Sequence, residues 1–192
     1  MFPGWACKAP VMPGGILSIR AAGVPAAVAA RLSRVGQPHP GYGVQMASVA
    51  EPAPSPETPL QGGCLCGAVR FEITAPFLFA GYCHCTHCQR RTGTGSSANG
   101  RVPQAGFRLL TGKERLRSFK PPTGVPKLFC ETCGSALFSG DPFADPEVAV
   151  RLGTLDRDPG IRPQFRQFVE SAAPWEPLPE DGLARHPRSR GY

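Results

Sequence analysis

Seven cysteines in three short clusters constrain this chain more than any other feature. They stand at Cys64-Leu65-Cys66, at Cys83-His84-Cys85-Thr86-His87-Cys88 and at Cys130-Glu131-Thr132-Cys133. Thiols two or three residues apart are presented to one small point, which a tetrahedral ion with bonds of about 2.3 Å to sulfur requires. A disulfide framework fits poorly. The apolar run from Gly15 to Ala30 is cut by Arg20 and Pro25, so no secretory leader is expected, and the compartment is expected to be reducing and cytoplasmic. A thioredoxin-like pair at Cys130 and Cys133 would need a βαβ setting that the flanking sequence lacks. The clusters therefore read as metal sites, with zinc as the ion. Cys7, the eighth cysteine, has no partner nearby and reads as an unpaired thiol.

These clusters belong to a chain rich in turns. With 23 Gly and 23 Pro in 192 residues, coiled coils, membrane bundles and long-helix folds are excluded, and the length suits one domain with tails. Residues 1–45 carry four basic and no acidic residues, six prolines and no apolar period, and are expected to be disordered. A second tract opens at Met46, where Pro52, Pro54, Pro56 and Pro59 read as a semi-extended linker, and the shift in composition points to translation from Met46. The expected organisation is a disordered tract and linker at 1–59, a zinc-binding domain at 60–183 and a basic tail at 184–192. Within the domain, GAVRFEI from Gly67 to Ile73 alternates as a half-buried strand does. The segment Phe107 to Phe119 reads as two strands around Thr111-Gly112-Lys113. KLFC, SALFSG, EVAVRLGTL and PQFRQFVES supply more strands, so the fold class is mainly β.

Counting ligands divides the thiols. A Cys-x-Cys and a Cys-x-x-Cys together supply the four ligands of a closed structural site: Cys64, Cys66, Cys130 and Cys133. Cys83, Cys85 and Cys88 remain, and three protein ligands with one open position is the arrangement of a catalytic zinc. Closure of that site by His84 or His87, or a different partition of the seven thiols, stays open on spacing alone.

GGCLCGAVRFEI, CHCTHCQRRTG, FCETCGSALF, EVAVRLGTLD and FVESAAPW…DGL occur in register from about Leu60 to Leu183. Together they resemble the glutathione-dependent formaldehyde-activating enzyme family, which includes centromere protein V. The resemblance implies a β-rich Mss4-like fold, a structural zinc on Cys64, Cys66, Cys130 and Cys133, and an exchangeable catalytic zinc on Cys83, Cys85 and Cys88. It also implies a carbon–sulfur lyase, with S-hydroxymethylglutathione as the founding adduct. Many relatives carry a small residue at His87, a basic one at Gln89 and a His at Arg166, departures that bear on the substrate.

The partners so implied are a low-molecular-weight thiol and an aldehyde. Arg90 and Arg91 are candidates to offset thiolate charge and hold substrate carboxylates, and Gly93 to Ser97 to offer backbone N–H groups to an anion. Glu170 is a candidate proton carrier beside Trp175. The alternative is a zinc-stapled binding module for chromatin or another polyanion. It is disfavoured because most of the +7 net charge lies at the ends, leaving 14 basic against 12 acidic residues between Leu60 and Leu183. Neither nucleic acid nor membrane is an expected partner, and no oligomeric state is read from the sequence.

Overall fold

Alternating apolar and polar residues build eleven strands among residues 51–191, the part of the chain that the structure, a computed structural model, describes. In chain order they are β1 (Leu60–Gly63), β2 (Arg70–Ile73), β3 (Phe79–Cys83), β4 (Ser97–Pro103), β5 (Phe107–Thr111), β6 (Leu116–Phe119), β7 (Lys127–Cys130), β8 (Ala136–Ser139), β9 (Glu147–Arg151), β10 (Phe165–Gln167) and β11 (Ala184–His186). One α-helix, α1 (Thr86–Thr92), follows β3 and ends at Gly93, whose φ of 69° is the left-handed conformation that glycine adopts without strain. No helix among these residues is long and apolar enough to cross a membrane. The readings of residues 1–45, of Met46 and of Cys7 lie outside the described residues.

Two sheets result, a three-stranded one in the order β1-β2-β5 and an eight-stranded one in the order β11-β10-β3-β4-β9-β8-β7-β6. Pairing in the large sheet is antiparallel except for the parallel neighbours of β10. The two strands read in Phe107 to Phe119 form but do not pair with each other. β5 joins β2 in the small sheet and β6 joins β7 in the large one. The expected strand from Gly67 begins only at Arg70, because Gly67 (φ 76°) turns the chain and its N–H donates to the Cys64 carbonyl at 3.0 Å.

Phe71 and Phe107 of the small sheet meet Phe138 of the large one with ring centroids 5.1 and 5.2 Å apart, both edge-on, an arrangement aromatic quadrupoles favour. Leu60, Val69, Ile73, Val102, Leu128, Val148 and Val150 complete the core between the sheets. Strand alternation then decides the other face of the large sheet. In β9, Val148 and Val150 enter the core while Ala149 and Arg151 line a cavity; in β4, Val102 enters the core while Asn99 and Arg101 line the same cavity. The core face supplies stability and the opposite face supplies the site.

Two segments differ from their sequence reading. The last part of the Pro-rich tract lies against the domain: Pro54 is fully buried, and Arg157 donates to the Glu51 carboxylate at 3.0 Å and to the Thr58 carbonyl at 3.2 Å. Residues 184–192, read as a basic tail, contribute β11, which runs parallel to β10.

Candidate functional site

The turn at Gly67 doubles the chain back so that Cys64 and Cys66 face each other, with sulfurs 3.5 Å apart, and Cys66 lies 3.8 Å from Cys130 at the end of β7. Adding Cys133, all four ligand atoms lie within 4.8 Å of one another. A tetrahedral ion with 2.3 Å bonds sets its sulfurs about 3.8 Å apart, so the four thiols fit such an ion. Their surroundings support thiolates: the Val69 N–H donates to the Cys64 sulfur at 3.2 Å, and the Ser135 hydroxyl lies 3.2 Å from Cys133. Cys130 is fully buried in the core while Cys66 is exposed, so the cluster ties the surface turn after β1 to the interior of the large sheet.

Cys83, Cys85 and Cys88 form the second cluster, again with ligand atoms within 4.8 Å of one another. Cys83 ends β3, Cys85 caps α1 and Cys88 is the buried residue of that helix. Contact with Cys83 and Cys85 holds the Cys88 thiol far below its ordinary range, and contact with Cys85 holds Cys83 far above it. Three thiols this close do not all ionise without a cation between them, so this trio too can hold a metal ion. It opens into a cavity of about 620 Å³ on the outer face of the large sheet. No fourth ligand joins it from the two histidines. His84 is buried, 3.4 Å from an Arg166 nitrogen, and burial holds its imidazole below its usual range; His87 is half-buried at the cavity wall.

Hydrogen bonds fix the loop that carries the trio. The Gln89 side-chain amide donates to the His84 and Ser171 carbonyls, each at 2.6 Å, and the His84 N–H donates to the Gln167 carbonyl at 2.9 Å. Arg166 is buried, pairs with Asp181 at 2.6 Å and stacks 4.5 Å from the centre of the Tyr82 ring. Two of the three positions noted above as departures, Gln89 and Arg166, thus brace the thiol loop. Phe168, at φ 58° a bulky residue in the left-handed region, lines the cavity with its neighbours Gln167 and Ser171.

Arg151 is a buried residue of the cavity wall that the sequence analysis did not single out. Its guanidinium is buried and donates to the Ser97 hydroxyl at 2.7 Å, to the Asn99 side-chain carbonyl and to the Ser139 hydroxyl at 3.0 Å, while its Nε has no partner among the described residues. Its charge favours the Cys88 thiolate. The signal was present in EVAVR, where an arginine stands in register with a buried alanine. Arg151→Met is expected to take from the Asn99 side-chain carbonyl its donor, whereas the Ser97 hydroxyl keeps the Asn99 amide and the Ser139 hydroxyl keeps Arg91 and Lys127, and so to lower stability by about 1–3 kcal/mol in a urea titration. A change within about 0.5 kcal/mol, typical of a surface site, would contradict this.

Other candidates lie elsewhere. Arg91 donates to the Phe138 carbonyl at 3.0 Å and to the Leu128 carbonyl, which makes it a brace. The Gly95 N–H, in the segment read as an anion cradle, is taken at 3.0 Å by the chain's own Glu176. Glu170 pairs with Arg188 at 3.2 Å outside the cavity lining, and Trp175 is exposed.

Residues 59–171 match the family described as glutathione-dependent formaldehyde-activating enzyme. A Halomonas elongata protein whose name carries that description is 30% identical over 123 residues, covering 60% of this chain and 78% of that protein. A crystal structure of a Rhodobacter sphaeroides protein aligns with a TM-score of 0.42 and 22% identity, over 66% of this chain and 98% of that one.

Proposed function

The chain belongs to the glutathione-dependent formaldehyde-activating family, and from that membership we propose that it is a zinc-dependent carbon–sulfur lyase acting on a thiol–aldehyde adduct of the S-hydroxymethylglutathione type. One observation carries the reading: two thiol clusters of different size, four thiols joined to the core and three opening into a cavity. In this reading Cys64, Cys66, Cys130 and Cys133 hold a structural zinc, and Cys83, Cys85 and Cys88 hold a catalytic one. Zinc bound by the trio would supply Lewis acidity that favours the ionised form of a substrate thiol near neutral pH.

The chain's own residues do the rest. Arg151 and Lys127 place positive charge on the cavity wall, where they offset thiolate charge and attract the carboxylates of a glutathione-like thiol. Asn99 and Ser139 hold the Arg151 guanidinium in place. Phe168 and Val125 supply apolar wall that limits water around the reacting carbon. In the forward direction a carbon–sulfur bond forms between the thiol sulfur and the aldehyde carbon, and the thiol proton ends on the carbonyl oxygen; the reverse reaction cleaves that bond.

Zinc analysis of the purified chain, with turnover of a panel of thiol–formaldehyde adducts, tests the proposal. Two zinc ions per chain and release of formaldehyde at least about tenfold above the uncatalysed rate are expected. A chain with both ions that accelerates no adduct would sink the lyase reading. Tight DNA binding that falls steeply with salt would put the polyanion module in its place.

A further inference from the structure

A second cavity, of about 460 Å³, adjoins the thiol cavity and shares His87 and Lys127 with it. The same helix serves both. Cys88 of α1 points to the trio, whereas His87, Arg90 and Arg91, three and four residues apart, share the side that lines the second cavity. Strand β7 contributes Lys127 and Phe129, two residues apart, while its alternate residues Leu128 and Cys130 enter the core. Phe119, opposite Lys127 in the edge strand β6, leaves 59% of its surface exposed.

The chemistry of this wall is one-sided. Phe119, Phe129, Pro121 and Pro122 give it apolar surface, and Arg90, Arg91 and Lys127 give it positive charge, with no Asp or Glu lining either cavity. Arg91 is occupied by backbone carbonyls and Lys127 reaches only the Ser139 hydroxyl, at 3.5 Å. Arg90 has no partner among the described residues. Three thiolates around one divalent ion would leave a single negative charge, against five cations in Arg90, Arg91, Arg101, Lys127 and Arg151, of which Arg101 pairs with Glu147 at 3.9 Å. The surplus is positive, and a ligand must bring the anion.

We infer that the second cavity is a subsite for the far end of the substrate, and that it takes a carboxylate bearing an aromatic group. The carboxylate meets Arg90 and Lys127, and the ring packs on Phe119 and Phe129. A thiol on the same molecule reaches past His87 and Lys127 to the trio. The ligand's continuity across the two cavities rests on the trio being the reactive site; the binding of an aryl carboxylate does not.

Calorimetry on the full-length, metal-loaded chain tests this with three probes, 3-phenylpropionate, 3-phenylpropylamine and acetate. The aryl carboxylate is expected to bind at least about tenfold more tightly than either control. Phe119→Ala and Arg90→Ala, both at exposed side chains, are each expected to weaken it about tenfold with the melting temperature unchanged. An amine that binds as tightly as the acid, or affinities untouched by both substitutions, overturns the subsite. In Cys85→Ser the affinity for 3-phenylpropionate is expected to remain, so loss of turnover there bears on the reaction alone. A fourth probe, 2-benzyl-3-sulfanylpropanoate, adds the thiol. It is expected to gain at least about tenfold over 3-phenylpropionate in the wild type and to lose that gain in Cys85→Ser, and equal affinities in the wild type would overturn the shared ligand.

Discussion

Cys130→Ser leaves the chain without its native fold. Cys130 is fully buried in the core, and its contact with Cys66 joins segments 64 residues apart in sequence. A structural zinc contributes about 10–16 kcal/mol of binding free energy that is also folding free energy. Whole domains are stable by only about 5–15 kcal/mol, so losing one of four ligands is expected to exceed the reserve. Circular dichroism and amide proton dispersion read the result. The same collapse is expected when a strong chelator strips the wild type. A Cys130→Ser chain with native dispersion and a melting temperature near that of the wild type would show that the core between the sheets suffices without the ion.

Cys85→Ser is expected to do the opposite: the fold stays and the activity goes. Cys85 is half-buried, caps a helix of seven residues and lies on the outer face of the large sheet, away from the aromatic core of Phe71, Phe107 and Phe138. Its loss takes one ligand from a three-thiol site, and zinc content is expected to fall from two ions to about one per chain. Turnover of the thiol–formaldehyde adduct is expected to fall at least a thousandfold, equivalent to about 4 kcal/mol of lost transition-state stabilisation. The melting temperature is expected to move by only a few degrees. Unfolding of this variant would assign the trio a structural role and remove the contrast on which the lyase proposal stands.

Much of this site was legible because its ligands are local. Cys64 and Cys66, Cys83, Cys85 and Cys88, and Cys130 and Cys133 are separated by one or two residues, so short turns suffice to gather each group. The strands read from local pattern, β2 and β5 to β10, were legible for the same reason. β3 and β4 were not. FAGYC and SANGRVP are rich in Gly, Ala and Asn, which weaken strand propensity. They become strands by pairing with each other and with β9 and β10.

What the sequence by itself determined is the gathering of seven thiols into three local clusters and the β class of the domain, because both follow from spacings of a few residues, while the meeting of the first cluster with the third, 64 residues on, came from the fold. Tertiary structure alone decided which face each group occupies. Pairing of Asn99 with Arg151 sets a buried guanidinium beside the trio, and pairing of Phe119 with Lys127 sets a cation beside an exposed ring. Such neighbours come from register between strands far apart in the chain, and a shift of one residue would turn every one of them to the other face of the sheet.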